Sequence, residues 1–136
     1  MMRKLDQRGV AALEFCLVAV PLFTLIFAIF DLGRYAITMQ SLHMLANAEA
    51  RANMINCYTP AKAINNTSPS TCTGDYLSDA QKQTVAPFAY GATVNTTAGT
   101  GTITVTASLP SFTMIMPIWP AAFNNPNVFA STSIPF

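Results

Sequence analysis

Residues 10–30 read VAALEFCLVAVPLFTLIFAIF, and this stretch decides the fold. Its 21 residues carry one charge, Glu14. At 1.5 Å rise per residue they make a helix of about 30 Å, the thickness of a bilayer's hydrocarbon core. A buried core helix so long and so apolar would be out of place in a chain of 136 residues, whose length predicts one domain. The sequence therefore predicts a single transmembrane helix over 10–30.

On its N-terminal side the run is preceded by a basic leader, residues 1–9, with Arg3, Lys4 and Arg8 against the single acid Asp6. From Val10 onward there are four basic and five acidic residues. Basic residues flanking a span are retained in the cytoplasm, so the N-terminus is expected there and the body is expected to be exported. A cleaved signal peptide fits poorly. The run exceeds the usual 7–15-residue apolar core of such a signal, and Ala46-Asn47-Ala48 is too distant to serve as its small-x-small cleavage site. A lipoprotein signal fails as well, because Leu13-Glu14-Phe15 before Cys16 is too bulky and charged.

Composition narrows the function. Hydrophobic residues make up 51% of the chain and charged residues 10%, against roughly 25% charged in soluble domains. A net charge of +1 gives no electrostatic case for a nucleic-acid partner. His43 is the only histidine and lies on a helical stretch as a polar surface residue. No Ser-His-Asp set, paired acids or metal-ligand spacing is present, so neither an enzyme nor a cofactor is expected.

On its C-terminal side the run continues as an amphipathic stem over 31–56. Gly33 is its only glycine, and it has no proline. Leu32, Tyr35, Met39, Leu42 and Ala46 recur at steps of three and four, with Arg34, Gln40, Asn47 and Arg51 around them. Glu49 and the neighbouring alanines favour helix. A continuous helix from Val10 to Asn56 would be roughly 70 Å long, and Pro21 is expected to kink it.

Residues 57–136 make up the exported head. The stretch 57–80, with Pro60, Pro69 and Gly74 among Asn, Ser and Thr, reads as a loop. Cys57 and Cys72 bracket it, fifteen positions apart. In an exported body they fit one disulfide; in a reducing compartment they would be two thiols. The Asn-x-Ser/Thr triplets at Asn65, Asn66 and Asn95 read as chance matches in an Asn- and Thr-rich chain. Ala92, Val94 and Thr96 precede the Gly99-Thr100-Gly101 turn; Ile103, Val105 and Ala107 follow it, alternating with threonines. That is a hairpin whose second strand should pack its apolar face on the stem. The apolar tail after Leu109, cut by Pro110, Pro117, Pro120, Pro126 and Pro135, is too interrupted to span a bilayer. It either packs on the head or lies at the membrane surface, with Trp119 as core residue or interfacial anchor, and Val128–Ser133 reads as a last strand. The fold class is α+β, one long N-terminal helix on a small antiparallel β head.

The segment Arg8-Gly9-Val10-Ala11-Ala12-Leu13-Glu14-Phe15 resembles class III prepilin leaders, which are cut after a glycine and carry glutamate at position five and an aromatic at six. The wider run RGVAALEFCLVAVPLFTLIFAIFDLGRYA is similar to the TadE-like proteins of tight-adherence (Flp) pilus systems; Pro21, Asp31, Gly33 and Arg34 match that family's proline and acidic-x-Gly-Arg exit. The resemblance is strong over about residues 8–50. It implies a pilin-like fold and a pseudopilin or minor pilin of the bacterial inner membrane. It further implies cleavage between Gly9 and Val10 by a prepilin peptidase, with Glu14 and Phe15 serving assembly. The implied partners are other pilin-like subunits, the pilus assembly platform and the lipid bilayer. A carboxylate inside a membrane run costs several kcal/mol and calls for a reason. Either Glu14 sits near enough to the interface to be tolerated, or a free α-amine created at residue 10, on the same chain or a neighbour, pairs with it. The rival reading is a permanently anchored periplasmic binding module, in which Gly9 and Glu14 have no special task.

Overall fold

The computed structural model describes residues 7–116 and 127–136, with side chains described from residue 9. Arg3, Lys4 and Asp6 of the leader, and Pro117, Trp119, Pro120 and Pro126 of the tail, lie outside the described residues.

Helix α1 runs from Gln7 to Asn53 and passes through Pro21 without interruption. Proline has no N–H, so the Leu17 carbonyl loses its usual donor there. One turn on, the Thr24 hydroxyl donates to the Val20 and Pro21 carbonyls at 3.0 and 2.8 Å. Beyond Asn53 the helix widens and does not stop at Asn56. Two π-helical turns, Met54–Tyr58 and Pro60–Ile64, carry it on, so the helical rod spans Gly9–Ile64, about 84 Å at helical rise. The physical reason is Pro60. In α geometry its ring would crowd the preceding turn and strand a carbonyl. The wider turns shift the pairing register, with Thr59 N–H donating to the Met54 carbonyl and Asn65 N–H to the Pro60 carbonyl at 3.1 Å. The first part of the expected loop is thus helix, and Cys57 sits on the rod.

The head is a three-stranded antiparallel sheet, β1 Thr93–Ala98, β2 Thr102–Leu109 and β3 Val128–Pro135, in that spatial order. The hairpin is the expected one. Its register pairs Val94 with Ala107 and Thr96 with Val105. Gly101 takes φ +84°, a conformation open to glycine at little cost, and its carbonyl accepts from Phe136 N–H at 2.9 Å. The last strand is longer than expected by two residues. A short helix α2, Asp79–Val85, precedes the hairpin and starts at a capping box: Gln81 N–H donates to the Ser78 hydroxyl, and Ser78 N–H to the Gln81 side chain.

Stem and sheet share one core. Ile103, Val105 and Ala107 are fully buried, as are Leu42 and Leu45 within a per cent. Each such leucine contributes about 1.5–3 kcal/mol relative to an exposed one. Small residues are part of it: Ala46 on the stem lies in the same cluster as Ala107 and Ala130 of the sheet. The tail re-enters this core, since Phe112 and Met114 are buried in the cluster while Ile115 is exposed. The cluster around Leu42, Leu109, Phe112 and Val128 lies nearer the apolar half of α1, and a second around Ala50, Ile103, Ile134 and Cys72 lies farther along the stem. Cys57 and Cys72 are bonded, with Cα atoms 5.7 Å apart. This ties the rod's last turns to the loop below. Closing a loop of this size contributes on the order of 3 kcal/mol in the chain-entropy view.

Candidate functional site

Two features of α1 stand out: its N-terminal segment and the face it turns to the head. Gly9, Val10, Glu14 and Phe15 all lie within α1 and are exposed. Nothing approaches within 4 Å of a side chain built at Gly9. Glycine within a helix weakens it by about 1 kcal/mol relative to alanine. From Val10 to Phe30 the large apolar side chains other than Ile26 are exposed, Phe15 and Phe30 among the most. Val10, Glu14, Leu17 and Pro21 follow at steps of three and four and share one face. Among the described residues nothing hydrogen-bonds or ion-pairs with Glu14, so any partner for this carboxylate comes from outside them.

Of the expected head-facing stripe, Leu42 and Ala46 are buried in the core and Tyr35 and Met39 pack against it, and polar residues widen it. Leu32 is exposed, whereas Asp31, Thr38, Leu42, Leu45, Glu49 and Asn53 are buried. Three of its polar residues hold irregular backbone of the head. Asp31 accepts from Ile115 N–H at 3.1 Å and Met116 N–H at 2.8 Å, and pairs loosely with Arg34 Nη1 at 3.6 Å. Glu49 accepts from Tyr76 N–H at 2.7 Å and Leu77 N–H at 3.1 Å. Asn53 donates from Nδ2 to the Cys72 carbonyl at 3.0 Å. Each replaces a ladder bond that these non-strand segments cannot make. Asp31, the acidic residue of the exit motif, thus clasps the tail to the foot of the stem, and Glu49 and Asn53 clasp the loop higher up.

Burial, the largest effect, raises the Glu49 pKa above its ordinary 4.5; the nearby Asp75 adds to this, and the two backbone donors oppose it. Lys82 bridges Asp75 and Asp79, and its hydrogen bond to Asp75 holds its pKa above the ordinary lysine value. Sequence reading missed Glu49 and Asn53 because each looks like an ordinary polar helix residue. Their spacing of seven and eleven residues after Leu42 would have placed both on the buried face. Among the described residues no group of three or more His, Cys, Asp or Glu side chains is arranged to hold a metal ion.

This architecture defines a class: a protein with, among the described residues, one helix long and apolar enough to cross a membrane, continued as the stem of a small sheet-bearing head. Residues 9–51, from the candidate cleavage glycine through the clasping stem, match the family of TadE-like proteins. No curated protein and no solved structure matches the chain.

Proposed function

We propose that this protein is a pseudopilin or minor pilin of a tight-adherence pilus, a structural rather than catalytic component held in the bacterial inner membrane with its head exported. The observation that carries the reading is the continuity of the TadE-like match with one rod. The matched residues 9–51 run from Gly9 through an exposed apolar face into the stem that packs on the head. Such a rod buries its apolar half in lipid while it waits and against neighbouring subunits once it assembles. Both environments suit the same exposed side chains. On this reading a prepilin peptidase cuts between Gly9 and Val10, and Glu14 meets the new α-amine of a subunit. The basic leader keeps the N-terminus cytoplasmic, and the Cys57–Cys72 bond suits an oxidising compartment outside that membrane.

Deleting the gene from its host and imaging the cell surface tests the reading. Thin pili and surface attachment are expected to disappear and to return on complementation. Normal piliation and attachment in the deletion strain would contradict it and favour a permanently anchored binding module.

A further inference from the structure

The foot of the head carries a surface that neither the pilus reading nor the core explains. A cavity of about 390 Å³ opens there between Arg34, Ile37 and Thr38 of the stem and Phe88, Tyr90 and Phe112 of the head. Large apolar side chains surround it unburied: Phe88 is 65% exposed, Tyr90 77% and, on the nearby tail, Ile115 74%. One cation stands at its wall. Arg34 keeps about half its side-chain surface while resting over the Phe112 ring, 5.7 Å from its centroid. Its bond to Asp31 is long, because that carboxylate already accepts two backbone N–H groups. Arg34 therefore has guanidinium donors to spare.

The height of this surface is fixed by the helix. Arg34 follows Phe30, the end of the apolar run, by four residues, or about 6 Å along the axis. The headgroup layer adds about 5–8 Å beyond the hydrocarbon on each side of a bilayer. A guanidinium at that height lies at the level of lipid phosphates, and the exposed Tyr90 and Phe88 that line the same cavity are of the residue types that favour the interface.

We propose that the foot of the head is a lipid-binding surface. Phe88, Tyr90 and Ile115 enter the leaflet from which α1 emerges, and Arg34 donates to the phosphate of a phospholipid seated in the cavity. The occupant follows from continuity with the apolar helix and from the charge of Arg34, which complements a phosphate. Its consequence is mechanical: the head rests on the membrane instead of swinging above it, and extraction of the subunit must break this contact as well as the anchor. The inference rests on the reading of Val10–Phe30 as membrane-spanning.

Site-directed spin labelling of the full chain tests it, in vesicles of phosphatidylethanolamine and phosphatidylglycerol. Single cysteines replace Leu25, Lys62 or Tyr90 in a Cys16→Ser background that keeps the disulfide. All three positions are exposed, so the fold should tolerate the label. Collision with oxygen relative to a water-soluble nickel chelate is expected to be highest at 25, severalfold higher at 90 than at 62, and reduced at 90 by Arg34→Gln. A label at 90 as aqueous as that at 62, with 25 deep in lipid, overturns the inference and leaves the anchor standing. An aqueous label at 25 overturns the anchor itself. Spin–spin broadening at 90 would assign the surface to a second copy of the chain and also overturn the proposal.

Discussion

Glu14→Ala is expected to abolish pilus assembly while leaving the chain inserted in the membrane. The two outcomes separate because they draw on different energies. Insertion depends on the apolar run, and removing a carboxylate from it can only make the run more favourable to lipid. Assembly on the proposed reading depends on one charge pair. Glu14 lies four residues, about 6 Å, inside the run from Val10, exposed and without a partner among the described residues. In a medium that hydrates nothing, an opposite charge delivered by a neighbour is worth far more than at a water surface. It also fixes the axial register of one rod against the next, since only one offset brings an α-amine to that carboxylate. Membrane fractionation should find Glu14→Ala at the wild-type level, and electron microscopy should find no pili. Glu14→Asp is expected to recover assembly in part, because the charge survives with a shorter reach. Normal piliation in Glu14→Ala would remove the pairing role.

The second large effect concerns the clasp. Glu49→Ala removes both acceptors for Tyr76 and Leu77 N–H from a fully buried position. It also leaves a void between stem and loop. A loss of about 2–4 kcal/mol is expected, seen as a drop in the head's Tm of order 10 °C or more. Amide exchange should rise first over residues 73–85, the stretch that Glu49 and the Lys82 bridges hold down. Glu49→Gln keeps the shape and one acceptor and should cost less.

The pH dependence gives an independent reading of the same residue. Burial raises the folded-state pKa of Glu49 above its ordinary 4.5. The folded state therefore holds the proton more tightly than the unfolded chain, and between the two values it binds more protons. Stability must then fall as pH rises through that window, and stay lower above it. The contribution is fully present below about pH 4.5. Melting curves of the wild-type head across mildly acidic pH should show this slope, and Glu49→Gln should flatten it. An unchanged slope in Glu49→Gln would assign it to another group.

Much of this architecture is legible in the chain. The membrane run follows from length and charge, the hairpin from alternation around Gly99 and Gly101, and the last strand from a short apolar stretch. What escaped reading did so for identifiable reasons. A proline at 60 reads as a helix stop, yet wider turns let the rod continue through it. Ser78-x-x-Gln81 is a capping box written in the sequence, but the helix that follows has no buried residue and so no apolar stripe to announce it. The apolar spacing of Tyr35, Met39, Leu42 and Ala46 marks the stem's contact face, but it includes the exposed Leu32 and omits the polar members. That face also carries Asp31, Glu49 and Asn53, because the head offers the stem irregular backbone as well as a sheet. Periodicity of burial and periodicity of hydrophobicity diverge wherever a side chain must supply hydrogen bonds.

The candidate N-terminal site shows the opposite balance. Gly9, Val10, Glu14 and Phe15 are prominent in the sequence and all exposed in the fold. On the proposed reading, these exposed residues of the family-matched segment act on other molecules.

The most direct measurement is the mass of the mature N-terminus in protein purified from membranes and from sheared surface filaments. The account predicts a chain beginning at Val10, with the nine-residue leader gone and the α-amine free. An intact leader ahead of Val10 in filament material would contradict it.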